Sequence, residues 1–288
     1  MINLEIKDLK KYYGLNRGVE NAGFAISSGE ILGFVGPNGA GKSTVIRLIM
    51  GLIRKNSGEI RVFGEKPSSA VNRRIGYLPG EVFMFPELRV EEQLRYFSDI
   101  RKCGEQRWRE LAEYFDLDLN RRVGELSFGN KKKIGIVAAL MHSPELIILD
   151  EPTSGLDPLI QKKFFELLEA EKQHGASILL SSHVLNDVEK ICDRVCLIKN
   201  GEVLFTQGIS ELKEAQHLKV TMAPVLQIDL PDLVFLSKSQ EEISYLFKGD
   251  VNVLILELSK YQLTKLHINE MEFEEIFMHY YQKEKSDV

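Results

Sequence analysis

Short apolar runs separated by polar turns open the chain, and those at residues 4–6, 22–26, 31–35 and 59–62 read as strands. A helical pattern follows the third run, over 44–50. From about Glu81 to Ser143 the spacing changes. Apolar residues recur at three- and four-residue intervals over 90–100, 108–115 and 131–141, which predicts three helices. Strands and helices then alternate: strand 146–149, helix 159–172, strand 177–180, helix 184–191, strand 195–198. Strands joined by helices of this length predict a parallel sheet covered on both faces. The expected fold is α/β, with a helical block inserted over about 81–145. Past about Ser210 the runs become shorter and alternating, notably over 251–258, which reads as extended structure. A helix is expected from about Met271 to Tyr281, with Phe273, Ile276, Phe277 and Tyr280 on one face and Asn269 and Glu272 as its capping pair. The expected domains are therefore 1–208 and a small α+β appendage, 209–288.

Bulk properties narrow the class. The 288 residues are 44% hydrophobic and 27% charged, with a net charge of −5. That balance argues against a surface built for nucleic acid. The first residues, Met1-Ile2-Asn3-Leu4-Glu5, lack the basic start and apolar stretch of a signal peptide. No run approaches the roughly 20 apolar residues of a membrane helix. A cytoplasmic protein is expected. Cys103, Cys192 and Cys196 form no CxxC pair, and their apolar neighbours make them core residues.

One segment carries the chemistry. Gly36-Pro37-Asn38-Gly39-Ala40-Gly41-Lys42-Ser43 has the spacing of a phosphate-binding loop, between a strand and a helix that continues through Thr44. Glycines let the backbone wrap around phosphate oxygens and offer them N–H groups. Lys42 would reach the β- and γ-phosphates, and the Ser43 hydroxyl would ligate Mg²⁺. The loop is therefore expected to hold nucleotide phosphates with Mg²⁺.

Downstream, the apolar strand 146–149 delivers Asp150 and Glu151 at its C-terminal end. In a parallel sheet this is the edge at which the phosphate loop opens. Asp150 fits an outer Mg²⁺ ligand and Glu151 a base for water. His183 follows the next strand and should emerge at the same edge. It reads either as a structural strand-end histidine or as a γ-phosphate contact.

With these residues assembled, the chain resembles the ATP-binding cassette (ABC) family over about residues 1–208. The loop with Ser43-Thr44 is similar to the family's Walker A motif, and 146–151 to its Walker B. Ser154-Gly155-Leu156-Asp157 resembles its D-loop, and His183 its switch histidine. Leu126-Ser127-Phe128-Gly129-Asn130 stands where the family has its signature. Tyr13 resembles the adenine-stacking aromatic, with Tyr12 as the alternative. The resemblance implies a dimer in which Ser127, Gly129 and Asn130 of one cassette face ATP held by the other. It also implies a separate membrane permease docked on the helical block, with the cassette peripheral at the inner membrane face.

Two departures stand out. Gly80, followed by Glu81, occupies the position of the family's usual glutamine. Phe128 and Asn130 replace the signature's first glycine and its glutamine. Lys131, Lys132 and Lys133 then read as a solvated helix face, with phosphate steering as the alternative. The departures, with the segments 139–146 and 272–277, resemble the branch serving bacterial exporters. A cassette that works without a permease is the rival reading. A ribosomal factor would need two fused cassettes, and a DNA-repair ATPase a far longer insertion between Lys42 and Asp150. The C-terminal appendage contains no further phosphate loop and is expected to serve assembly or regulation.

Overall fold

The computed structural model describes residues 1–14, 16–214, 218–228 and 230–277. Two compact units divide the chain, 1–207 and 208–288.

In the first unit the chain forms β1 (Ile2–Tyr13), β2 (Asn16–Ser27), β3 (Ile31–Val35), α1 (Lys42–Ile49), β4 (Ser57–Val62), α2 (Ser69–Asn72) and β5 (Ile75–Leu78). The inserted block follows as α3 (Val90–Arg101), α4 (Glu105–Tyr114), a 3-10 turn (Val123–Glu125) and α5 (Phe128–Leu140). Then come β6 (Leu146–Asp150), α6 (Pro158–Gln173), β7 (Ser177–Ser182), α7 (Leu185–Ile191), β8 (Arg194–Lys199) and β9 (Glu202–Gly208). The nine strands make one sheet in the order β4-β1-β2-β9-β8-β3-β7-β6-β5.

The centre of that sheet is parallel, as the α/β alternation predicts. β3 pairs in parallel with β7 and β8, and β6 with β5 and β7. Every residue of β3, β6 and β7 is buried, which is why these strands read as unbroken apolar runs. The expectation of a wholly parallel sheet is corrected at the other end. There β1 pairs antiparallel with both β2 and β4. Only two residues separate β1 from β2, enough for a hairpin and far too few for a parallel crossover.

Register decides which residues meet. Val35 lies opposite Ser182, and Asp150 opposite Ser181. The chain leaving β3, β6 and β7 therefore emerges at one edge, where it carries the glycine loop, Glu151 and His183 in turn. Beneath the loop, α1 packs Val45, Ile46 and Ile49 into a core with Leu32, Phe34 and Ile148. That packing anchors both the helix and the strand that define the loop's ends.

The second unit contains α8 (Ile209–Glu214), β10 (Leu218–Ala223), β11 (Leu233–Lys238), β12 (Ile243–Phe247), α9 (Val251–Leu258) and β13 (Lys265–Glu270). Its four strands form an antiparallel sheet, β11-β12-β10-β13. Two expectations are corrected here. Residues 251–258 are helical: Asp250 caps the helix through the Asn252 N–H at 2.8 Å, and Leu254 and Leu258, four apart, are its buried stripe. A short apolar run does not distinguish the two periodicities. Asn269 is no helix cap, because it pairs with Lys219 inside β13. A helical turn begins at residue 273, where Phe273, Ile276 and Phe277 are buried. Tyr280 and the rest of the expected helix lie outside the described residues.

Candidate functional site

The loop between β3 and α1 ends on Gly41, whose φ of 107° is open to glycine at little cost. A Cβ there would also lie 2.7 Å from the Gly18 carbonyl. No side chain caps α1, and no acidic residue sits in its first turn. Its leading N–H groups and the positive end of its dipole remain available to an anion.

A cleft of about 270 Å³ opens over this helix end. Pro37, Asn38, Gly39, Gly41, Lys42, Ser43 and Thr44 line it, with Tyr13, Gly18 and Glu151 completing the wall. Gly36 and Ala40 are buried in the loop's base. Tyr13 is 45% exposed at the rim, while the Tyr12 hydroxyl is engaged by Glu20 at 2.9 Å. Of the two tyrosines, Tyr13 is the one on the cleft. Nothing in the sequence marks Gly18 for the cleft, because its position depends on the β1–β2 hairpin folding back over the loop.

Lys42 crosses the loop's mouth. Its Nζ donates to the carbonyls of Gly36 at 2.6 Å and Pro37 at 3.2 Å, and lies 3.5 Å from Glu151 Oε1. The other carboxylate oxygen of Glu151 meets His183 Nδ1 at 2.6 Å. Glu151 is thus joined to the loop on one side and to the end of β7 on the other. Its φ of 50° lies in the left-handed region, at a cost of about 1–2 kcal/mol for an L-residue. The Glu151 N–H, bonded to Ser181 O at 3.1 Å, helps to fix that conformation.

Asp150 is buried, and its Oδ1 has no hydrogen-bond partner. An orphaned carboxylate oxygen at the end of β6, one residue before Glu151 of the cleft wall, suits a hard cation. Among the described residues, no cluster of three or more His, Cys, Asp or Glu side chains could hold a metal alone.

The signature residues are absent from the cleft's lining. Ser127 caps α5, its hydroxyl accepting from the Asn130 N–H at 3.4 Å. Phe128 is 57% exposed and its ring lies against Gly155. Gly129 approaches the Gly155 carbonyl, where a Cβ would come to 2.7 Å. Asp157 caps α6, accepting from the N–H groups of Leu159 and Ile160 at 3.0 Å each. The predicted signature and D-loop segments therefore meet each other within the chain.

Glu81 is exposed, and Gly80 lies beside Asp150. The lysine run departs from expectation. Lys132 is buried, with its Nζ donating to Gly80 O at 3.3 Å, while Lys133 bonds Phe115 O at 3.1 Å. Burial pulls the Lys132 pKa below its ordinary value, against the opposing pull of Asp150 and Glu151. Three consecutive lysines read as solvent-facing, but the helix turns the middle one toward the sheet edge. Cys192 and Cys196 are buried, and burial raises both thiols, Cys196 to about 12.

Residues 19–154 match the family model described as ABC transporter. The bacitracin transport ATP-binding protein BcrA of Bacillus licheniformis is 35% identical, covering 80% of this chain and 75% of that protein. The Nod factor export ATP-binding protein I of Rhizobium etli is 36% identical, covering 70% of this chain and 66% of that protein. A solved structure titled as the ATP-binding subunit of an ABC transporter superposes with a TM-score of 0.69 at 34% identity. It covers 73% of this chain and 92% of that one.

Proposed function

The chain belongs to the ABC transporter family as an ATP-binding protein, and we infer that it hydrolyses ATP as a dimer to drive a separate membrane permease in export. The observation that carries this reading is the placement of Glu151. It sits between the loop lysine and His183, at the mouth of a cleft shaped for phosphates.

The roles follow from position. Loop N–H groups and Lys42 bind the phosphates, and Tyr13 stacks against adenine at the rim. Glu151 takes the proton from the attacking water, while His183 holds the γ-phosphate. Ser43 and Asp150 would hold Mg²⁺, which supplies charge neutralisation along the phosphates. Ser127, Gly129 and Asn130 sit outside their own chain's cleft lining, and a second cassette gives them a nucleotide to contact. Closure on ATP and reopening on hydrolysis would then convert chemistry into motion.

Among the described residues no helix is long and apolar enough to cross a membrane. The helical block exposes Phe83 and Ile100, which line a largely apolar groove that suits a permease's cytoplasmic helices. The exporter assignment rests on the relatives and on the sequence branch. We assign the second unit, 208–288, to assembly or regulation.

Co-purification of the full chain from native membranes, with phosphate release measured on the product, tests the whole reading. A co-purified permease and ATP turnover are expected. Absence of turnover in that complex overturns the ATPase assignment, and recovery only as a soluble protein overturns the transport assignment.

A further inference from the structure

Lys132 is costly to the fold. It lies in α5 with 3% of its surface exposed, in a helix whose Ile134, Ile136 and Val137 are also buried. Among the described residues its ammonium has one hydrogen bond, to Gly80 O at 3.3 Å, and no ion pair. A buried ammonium so sparsely satisfied destabilises, and an apolar side chain of similar length would pack there at lower cost. A charge kept at such a site calls for an electrostatic reason.

The surroundings supply one. Gly80 follows β5, the neighbour of β6, and has no side chain. A Cβ built on it would lie 4.0 Å from both the carbonyl and Oδ2 of Asp150. The carbonyl that anchors Lys132 therefore belongs to the residue lying against Asp150. Asp150 and Glu151 are the carboxylates whose field Lys132 feels. Lys42 and His183 compensate Glu151 directly, whereas Asp150 Oδ1 has no partner. Two adjacent carboxylates repel, and a cation held nearby in a low-dielectric interior opposes that repulsion.

We propose that Lys132 is a positioning residue for the Asp150–Glu151 pair, its buried charge stabilising the two carboxylates at the cleft while its hydrogen bond ties the Gly80 segment to α5. It acts through the carboxylates and touches neither substrate nor metal. The proposal rests on Glu151 being the base. It adds that part of the base's electrostatic support comes from the helix bearing the chain's own signature segment. Movement of that helix would then change the field at Glu151.

The experiment compares the full-length wild type with Lys132→Met and Lys132→Arg by three measurements. These are steady-state ATP hydrolysis, binding of a fluorescent ATP analogue in EDTA, and thermal unfolding. Lys132→Met removes the charge while keeping the length. It should melt at or above wild type, bind the analogue within about threefold, and lose about tenfold or more in kcat with KM nearly unchanged. Lys132→Arg should recover kcat to within about threefold of wild type. A Met variant with wild-type kcat overturns the proposal. So does a loss of kcat matched by a lowered melting temperature and not recovered by Arg, which would make Lys132 a packing residue. If the Met variant fails to fold, Lys132→Gln, which can still donate to Gly80 O, is read by the same criteria. A wild type that turns over no ATP under any condition fails a step earlier, overturning the reading of Glu151 and this proposal with it.

Discussion

His183 Nδ1 lies 2.6 Å from Glu151 Oε2, the closest polar contact of either side chain across the β6–β7 edge. An ionised carboxylate only accepts, so in this pair Nδ1 carries the proton. The hydrogen bond fixes the imidazole's tilt and leaves Nε2 on the far side of the ring. The same contact fixes Glu151, whose other oxygen faces Lys42 at 3.5 Å. Glu151 and His183 thus orient one another at the mouth of the cleft.

Replacing Glu151 by Gln keeps the shape and can preserve a hydrogen bond to His183, but the amide takes no proton. Steady-state hydrolysis should fall by about 10²–10⁴, the usual worth of a general base, with nucleotide binding intact. An ATP-bound dimer should accumulate on size-exclusion chromatography. Turnover near wild type would place the base elsewhere.

Lys42→Ala should fail earlier, at binding. It removes the charge aimed at the phosphates and the two hydrogen bonds that brace the Gly36 and Pro37 carbonyls. It also leaves Glu151 without its cation. ATP affinity should drop by about tenfold or more, as expected for lost charge-assisted contacts. A titration with unchanged affinity would remove Lys42 from the phosphate-binding role.

The parts of this protein that were legible in the sequence share a physical cause. The unbroken apolar runs of β3 and β6 are legible because both faces are buried, and the glycine loop because its backbone requirement dictates residue type. What the sequence obscured depends on tertiary context. The run 251–258 is too short and too uniformly apolar for its helical period to show until Asp250 is seen capping it. Lys132 sits in a run of three lysines, and only the packing of α5 shows which of them faces inward. Gly18 reaches the cleft through a hairpin whose antiparallel pairing the α/β alternation did not suggest. The contact of Phe128 with Gly155 joins segments that appear unrelated along the chain.

That last contact predicts a measurable coupling. Gly155 has a φ of 78°, and a Cβ there would lie 2.3 Å from Cδ1 and 2.6 Å from Cε1 of Phe128. Gly155→Ala should therefore destabilise through backbone strain of about 1–2 kcal/mol together with displacement of the ring. Phe128→Ala in the same chain should recover the steric part and leave the strain. Denaturation of the two single variants and the double variant forms a cycle. Strictly additive losses would mean that the ring moves aside freely and that the two segments are not coupled.

The helical block carries a second testable group. His142 lies partly buried at the end of α5, its Nε2 3.2 Å from the Ile75 carbonyl and its Nδ1 without a partner. Burial, assisted by Arg101, lowers its pKa to about 4, against an ordinary value of about 6.5 in the unfolded chain. The sign follows from proton counting. Between pH 6.5 and 4 the unfolded chain binds a proton at this site that the folded chain refuses, so acid favours unfolding. The stabilising effect of a neutral His142 is thus complete above about pH 6.5 and is lost progressively as pH falls toward 4. Solvent reaching the ring reduces the effect below the full linkage value. His142→Gln removes the titration while its amide can still donate to Ile75 O. Between pH 7 and pH 5 the melting temperature of this variant should fall less than wild type, by roughly 2–4 °C. If the two proteins lose stability in parallel over that interval, His142 titrates alike in both states, and the acid sensitivity of the block lies with its carboxylates.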